Sequence, residues 1–178
     1  MKLSKLTLAL ATFATIASGA ASAATNGTLT ITGNIVDQTC EVDASQMTRT
    51  VDLGSILPSA IKAAAVNDSL TSQPLTFDVT NCPASTTGVG IKFDFTPDVN
   101  STQYMANTGT GAGVLLGITD DADTLVTKGG VVNAANLDTT TGTATVSAKV
   151  HAYRVAAADA DITAGDIAST ATVTIEQN

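Results

Sequence analysis

The 178-residue chain has no tryptophan, two tyrosines, four phenylalanines and a single histidine. Aromatic side chains supply many of the anchors of carbohydrate sites and protein interfaces, so this composition disfavours a site built on stacked rings. A copper–zinc dismutase on a β-sandwich is excluded, because such a centre needs a cluster of histidines. The chain also lacks a nucleophile motif and a phosphate-binding glycine loop, so the sequence predicts neither an enzyme nor a cofactor.

Basic residues are scarce as well, with eight Lys and Arg against sixteen Asp and Glu. Loss of an N-terminal leader that holds Lys2 and Lys5 would leave a net charge of 6 − 16 = −10. Such a charge argues against nucleic acid or an anionic membrane surface as the partner.

Two groups of residues could in principle carry chemistry. His151 alternates with apolar neighbours, which predicts a histidine on the solvent face of a strand rather than a catalytic base. Asp120, Asp121 and Asp123 lie close in sequence, yet calcium needs six or more oxygen ligands and their spacing matches no EF-hand loop. We therefore expect a solvated loop there and no metal site.

A long apolar run lies near the N-terminus, from Leu6 to Ala17. It follows Lys2 and Lys5 and precedes Ala21-Ser22-Ala23, a small-residue sequence typical of a signal peptidase site. The run is too short to span a bilayer. The sequence therefore predicts a signal peptide over residues 1–23 and a mature chain of 178 − 23 = 155 residues, enough for one domain.

Cys40 and Cys82 are the two cysteines of the chain. In a protein exported to an oxidising compartment, a single disulfide between them is the expected state. Closing a loop of about 42 residues stabilises a fold by roughly 4 kcal/mol when only chain entropy is counted. Two free thiols or a metal pair are the alternatives, but neighbouring His or Cys ligands are missing.

Alternation of apolar and polar residues predicts many short strands and no helix of useful length. The predicted strands are residues 25–36, 36–42, 48–53, 75–80, 89–95, 114–119, 143–155 and 171–176. Lys128-Gly129-Gly130 between two apolar pairs predicts a β-hairpin over residues 125–132. Residues 57–67 are expected to form a connector, in which a proline and an Ala-rich run could also make about one helical turn, and residues 100–113 are expected to form a loop. Short strands at this spacing favour an all-β antiparallel sandwich.

The stretch from Thr25 to Val36, TNGTLTITGNIV, differs from an ordinary first strand. Gly27, Leu29, Ile31 and Gly33 share one face, and Thr and Asn residues occupy the other. Glycine weakens a strand interior, so glycines on the apolar face indicate a neighbouring surface that approaches closely. A segment that lies in another molecule's groove and a plain first strand both fit this pattern.

Several segments, taken in order, resemble one family. GTLTITG followed by NIVDQTCEVD is similar to the sequence before and around the first cysteine of type 1 fimbrial major subunits. LTFDVTNC resembles the segment that leads to their second cysteine, and VHAYRVA with the terminal ATVTIEQN resembles their last two strands. Two positions depart from the family pattern: Gln177 replaces a usual aromatic residue, and Tyr153 falls on the opposite face of its strand. Both lie where a chaperone is expected to bind.

The resemblance implies an incomplete immunoglobulin-like antiparallel sandwich that lacks its final strand. A periplasmic chaperone would fill the gap with its own strand, and the N-terminal extension of the next pilin would replace it at an outer-membrane usher. On this chain, residues 24–34 would be the donor-strand extension and residues 35–178 the pilin domain. The donor residues would be Thr25, Gly27, Leu29, Ile31 and Gly33, and the groove edges would include Ile35, Val42, Val146, Val150 and Ala152.

Such a pilin would be a structural subunit of an adhesive fimbria on a Gram-negative bacterium, exported through the periplasm. Its partners would be identical or related subunits, the chaperone and the usher. A minor adaptor or anchor subunit of the same fibre is the alternative. A secreted single-domain adhesin that binds carbohydrate is a further alternative.

Overall fold

The computed structural model of the chain describes Thr32 and residues 38–178. Outside the described residues lie the predicted signal peptide, the predicted donor residues Thr25, Gly27, Leu29, Ile31 and Gly33, and the predicted groove residue Ile35. One compact unit of the chain spans Val36–Asn178.

Ten strands and two short helices make up the described part of this unit. In chain order they are β1 Glu41–Val42, α1 Ala44–Met47, α2 Pro58–Ala63, β2 Ser69–Thr80, β3 Val89–Phe95, β4 Pro97–Asp98, β5 Ser101–Met105, β6 Val114–Asp120, β7 Gly130–Asn133, β8 Leu137–Asp138, β9 Thr143–Arg154 and β10 Ala171–Gln177. A single 3₁₀ turn, Asp159–Asp161, lies between β9 and β10.

The long strands form where the side chains alternate between a dry and a wet face. In β2, Leu75, Phe77 and Val79 are buried, whereas Thr76 and Asp78 face solvent. The strands predicted at residues 75–80, 89–95, 114–119, 143–155 and 171–176 are all confirmed, and the first of them begins earlier, at Ser69.

The strands form two antiparallel sheets that face each other. The first sheet has the order β1-β2-β9-β6-β5-β4, with β8 also paired to β9, and the second has the order β10-β3-β7. Phe77 of the first sheet meets Phe93 of the second edge to face, with ring centroids 6.0 Å apart. The core therefore lies between the sheets, and the predicted all-β antiparallel sandwich is confirmed.

The strand predicted at residues 48–53 is wrong, because the backbone there is irregular. Val51 and Leu53 still pack against the core as half-buried side chains. A strand needs a hydrogen-bonded neighbour, and an open cleft occupies the neighbouring position along this stretch. The strand predicted at residues 36–42 is likewise reduced, within the described residues, to the two residues of β1.

The hairpin predicted over residues 125–132 has the correct turn but the wrong pairing. The N–H of Gly130 donates to the carbonyl of Thr127 at 2.8 Å, which closes the turn. However, β7 pairs with β3, and Leu125 forms a bridge with Thr119 of β6. The two arms belong to different sheets because the chain crosses here from the first sheet to the second.

Two connecting regions are more ordered than the sequence indicates. The expected connector contains α2, which begins at Pro58. Proline lacks a backbone N–H, but the N–H groups of the first helical turn have no partner within the helix, so no helical hydrogen bond is lost there. The loop expected at residues 100–113 contains β5, which pairs with β6. In the part of the chain that the structure describes, no helix has the length and apolar character needed to cross a membrane.

Candidate functional site: an apolar cleft beside the last strand

An apolar cleft of about 310 Å³ lies between the segment 46–53, which runs from the end of α1 to Leu53, and the first half of β10. Its lining residues are Gln46, Met47, Arg49, Thr50, Val51, Leu53, Leu75, Phe77, Phe93, Met105, Leu116, Ile118, Val150, Ser169, Thr170, Ala171 and Val173. Larger depressions exist on the surface, such as one of about 550 Å³ beside Asp120 and Asp121, but that one has many polar lining residues. The cleft opens onto deeply buried core side chains, among them Phe77 and Phe93.

The floor of the cleft is made of core side chains from both sheets. Phe77, Ile118 and Val150 come from the first sheet, and Phe93 comes from the second. These four residues are each at most 8% exposed, so the cleft is a gap at the edge of the sandwich rather than a surface groove. An apolar gap of this kind favours an apolar occupant.

One wall of the cleft is the segment 46–53, which is tied to β2 of the first sheet. The side chain of Gln46 both donates to Asp78 Oδ2 at 3.0 Å and accepts from the Asp78 backbone N–H at 2.7 Å. Arg49 donates to the carbonyl of Thr76 at 2.8 Å, and its guanidinium lies 4.7 Å from the centre of the Phe77 ring. Burial lowers the pKa of Arg49 from its usual value. These bonds hold the segment in place without a strand partner.

The other wall is β10, which pairs with β3 and with no other strand among the described residues. Val173 and Ile175 are half-buried on its inner face, whereas Thr172 and Thr174 are exposed on its outer face. On the outer face the carboxylate of Glu176 lies 2.9 Å from Lys92 Nζ, and this bond raises the pKa of Lys92. The strand therefore has one side of its backbone unpaired beside an apolar cleft.

The two ends of the cleft differ. At the far end of β10, the Cys40 N–H donates to Gln177 Oε1 at 2.7 Å, and Cys40 forms the predicted disulfide with Cys82. Asn178 is fixed there too, since its N–H donates to Gly88 and its carbonyl accepts from Thr87. At the near end, Ser169, Thr170 and Ala171 line the cleft, and none of these three makes a bond like that of Gln177 to Cys40.

The structure places the predicted groove residues differently from the sequence prediction. Val150 lines the cleft floor, but Val146 and Ala152 do not line the cleft. Their strand, β9, is inside the first sheet, with β2 on one side and β6 and β8 on the other, so it has no free edge there. Val42 pairs with Val79 at the opposite edge of that sheet. The unpaired strand edge that borders the cleft is that of β10, and no residue of β10 was among the predicted groove residues.

His151 is buried, contrary to its prediction as a surface residue. Its side chain is 8% exposed and accepts or shares hydrogen bonds with Ser69 at 2.8 Å and Thr119 at 3.2 Å. The imidazole also stacks on Tyr153, with ring centroids 5.4 Å apart. Burial lowers the pKa of His151, although Asp123 at 3.6 Å opposes that shift. The outer face of the first sheet is covered here, which the alternation pattern could not reveal.

Arg154 is a further buried polar residue that the sequence analysis missed. Its side chain is 8% exposed, and it joins three separated parts of the chain at the end of β9. The guanidinium donates to the carbonyls of Ile61, Lys62, Ala64 and Ala156 and to the carboxylate of Asp159, at 2.7–3.1 Å. It therefore caps α2 and holds the 3₁₀ turn, a structural task rather than a catalytic one.

The described residues contain no group of three or more His, Cys, Asp or Glu side chains arranged to hold a metal ion. What they do contain is an antiparallel β-sandwich with one disulfide and an apolar cleft beside the unpaired side of β10. The fold and the cleft together define a β-sandwich whose core is open beside its last strand.

Comparisons with known proteins identify the family within that class. The family model for fimbrial proteins matches residues 29–177. Long polar fimbria protein A of Salmonella typhimurium is 33% identical over 127 residues, which is 68% of this chain and 70% of that protein. Protein FimG of Escherichia coli is 33% identical over 133 residues, or 72% of this chain and 73% of that protein.

The fold agrees with these matches. A solved chaperone–usher pilus, whose structure addresses the uncoiling of its rod, superposes with a TM-score of 0.64 and 17% identity. That match covers 86% of this chain and 96% of the other. The chain belongs to the fimbrial protein family, and its role is that of a structural fimbrial subunit rather than of an enzyme.

Proposed function

We propose that this subunit polymerises by donor-strand exchange and that it forms the shaft of a surface fimbria. The observation that supports this most is the unpaired side of β10 beside an apolar cleft. An open strand edge recruits another strand, and an apolar cleft beneath it selects strands with apolar side chains at alternate positions. Adhesion of the cell would then be supported by the fibre, with the receptor site on another subunit.

The proposed occupant is the stretch from Thr25 to Gly33 of a neighbouring copy. Its apolar face has Leu29 and Ile31 in the middle and Gly27 and Gly33 on either side. The stretch from Gly27 to Gly33 has seven residues, as β10 has, so it is long enough to pair with the part of β10 that borders the cleft. Leu29 and Ile31 would lie against the cleft floor, and the glycines would allow close approach where the cleft is shallow.

Export follows from the proposed signal peptide over residues 1–23. In the periplasm a chaperone would cover the cleft until an outer-membrane usher passes the subunit to the fibre, where the donor strand of the next subunit replaces it. The domain boundaries proposed above, with the extension at residues 24–34 and the pilin domain at residues 35–178, assign each segment one of these tasks.

Electron microscopy of cells with and without this subunit tests the shaft assignment. Loss of the subunit should remove the fibres or leave only short stubs, because a shaft subunit supplies most of the fibre mass. Fibres of unchanged number and length would contradict the assignment. Fibres that are normal in length but detached or fewer would instead indicate an adaptor or anchor subunit.

A further inference from the structure

Gln177 is a polar residue at a position where the pattern of β10 calls for an apolar one. By alternation Gln177 continues the face of Val173 and Ile175, but it is exposed whereas those two residues are half-buried. Instead of packing on the core, the Gln177 side chain accepts a hydrogen bond from the backbone N–H of Cys40 at 2.7 Å. The disulfide to Cys82 anchors Cys40, so this bond joins β10 to a fixed point.

This bond leaves too little space for another strand. A strand inserted between β10 and the backbone at Cys40 would hold those two backbones about 9.6 Å apart, twice the usual spacing. A fully extended glutamine side chain reaches about 5 Å from its Cα. With a hydrogen bond of 2.7 Å, Gln177 and Cys40 are separated by less than about 8 Å. The bonded arrangement and an inserted strand are therefore mutually exclusive at this end.

The cleft itself agrees with this geometry. Its lining includes Ala171 and Val173 of β10 but neither Ile175 nor Gln177. The opening thus ends about halfway along the strand, on the side towards the Gln177–Cys40 bond.

We propose that Gln177 closes the cleft at its disulfide end and thereby sets how much of a donor strand can dock. This inference rests on the proposed function, since it concerns the strand that the cleft accepts. The part of the donor that would lie beside Gln177 makes no backbone bonds while the Gln177–Cys40 bond is in place. Gln177 is in this sense a residue that determines donor length and register.

Three substitutions separate this role from a general effect on stability. Gln177→Ala removes the acceptor and frees the Cys40 N–H for a donor carbonyl. Gln177→Glu keeps an acceptor oxygen at the same reach, so the closure should persist. Thr174→Ala changes the exposed outer face of the same strand and serves as the matched control.

Binding of synthetic peptides measures the effect directly. All variants are made as the mature chain with Ile31→Asp, so that the chain's own extension cannot act as a donor. The labelled peptides carry residues 25–36, residues 28–36 or residues 25–32, because the direction of the docked strand decides which end meets Gln177. Fluorescence anisotropy gives the Kd of each pair, and thermal melting reports the stability of each variant.

With Gln177 or Glu at position 177, one of the two shortened peptides should bind within twofold of the full peptide. With Gln177→Ala the full peptide should bind about fivefold tighter, which is equivalent to about 1 kcal/mol or one net hydrogen bond. The same shortened peptide should then bind this variant about fivefold more weakly than the full peptide does. Thr174→Ala should behave as the unchanged chain.

If both truncations weaken binding to the unchanged chain and Gln177→Ala changes nothing, the closure is refuted while strand docking stands. If no peptide binds any variant, the proposed function fails and the closure fails with it. A loss of stability in Gln177→Ala without a change in the dependence of Kd on peptide length would also refute the closure, because it would show a purely structural role.

Discussion

Supplying the missing strand from within the chain should convert an assembling subunit into a stable monomer. The change is a fusion of a second copy of residues 24–34 to the C-terminus through a short flexible linker. β10 ends at Gln177, one residue before the terminus, so a short linker lets the copy turn back along the unpaired side of that strand. The unfused chain should aggregate or cyclise, because its open edge recruits any available strand.

The size of the effect is best estimated from a matched pair of fusions. In the control, the residues of the copy that correspond to Leu29 and Ile31 are both Ser. The cost of ordering the backbone is then the same in both fusions, and the difference reports apolar burial in the cleft. Burial of a Leu or Ile side chain is worth about 1.5–3 kcal/mol, so the pair should contribute about 3–6 kcal/mol. For a domain of 144 residues this corresponds to about 10–20 °C in Tm.

Differential scanning calorimetry and size-exclusion chromatography of the unfused, fused and double-Ser chains check this prediction. The reasoning is refuted if the unfused chain is already a monomer as stable as the fusion. It is also refuted if the double-Ser fusion has the same Tm as the unsubstituted fusion, since the cleft would then not be binding the apolar face of the copy.

The other predictions concern single positions. Cys40→Ser should cost roughly 4 kcal/mol and leave little folded subunit in the periplasm, so normal yields in an oxidising strain would contradict it. Ile31→Asp should block fibre assembly, because it would bury an unpaired carboxylate in the cleft. Thr30→Asp, on the opposite face, should have only a mild effect on assembly. Equal assembly defects in the two variants would show that the donor face is assigned wrongly. Arg154→Met should lower stability by about 3–5 kcal/mol in urea unfolding, because it leaves buried carbonyls without donors, and a loss below 1 kcal/mol would refute the capping role. His151 has a pKa below its usual 6.5, so the unfolded chain binds more protons near that pH and stability should fall as the pH drops from about 7 to 5; a His151→Asn variant with the same pH dependence would rule this out.

The strands that could be predicted from the sequence are those whose two faces have different surroundings. Phe77 in β2 and Val146 in β9 are buried, while their sequence neighbours are more exposed. Apolar and polar residues therefore alternate with a period of two in the sequence itself. The disulfide could be predicted too, because two cysteines in an exported chain have one pairing. These features depend on local pattern or simple counting.

The features that could not be predicted depend on which segments are neighbours in space. The pattern of residues 48–53 resembles that of a strand, but the segment lacks a paired neighbour because the cleft occupies that position. The regular alternation of β9 gives no sign that β2 and β6 pair with its two sides. His151 faces outwards as its position in the strand predicts, yet Ser69, Thr119 and Tyr153 cover it.

The construction of the cleft decides which substitutions can test its function. Phe77, Phe93 and Ile118 form its floor, and the same three side chains are among the most deeply buried in the core. Replacing any of them would remove the docking surface and destabilise the fold together, so a loss of assembly would have two explanations. Gln177 is not part of the core cluster, and the donor stretch is proposed to act on a neighbouring copy. Changes at those positions alter the docked strand or the length of the opening while the sandwich keeps its packing. For this reason the donor face and the closed end of the cleft, rather than its floor, separate strand exchange from folding.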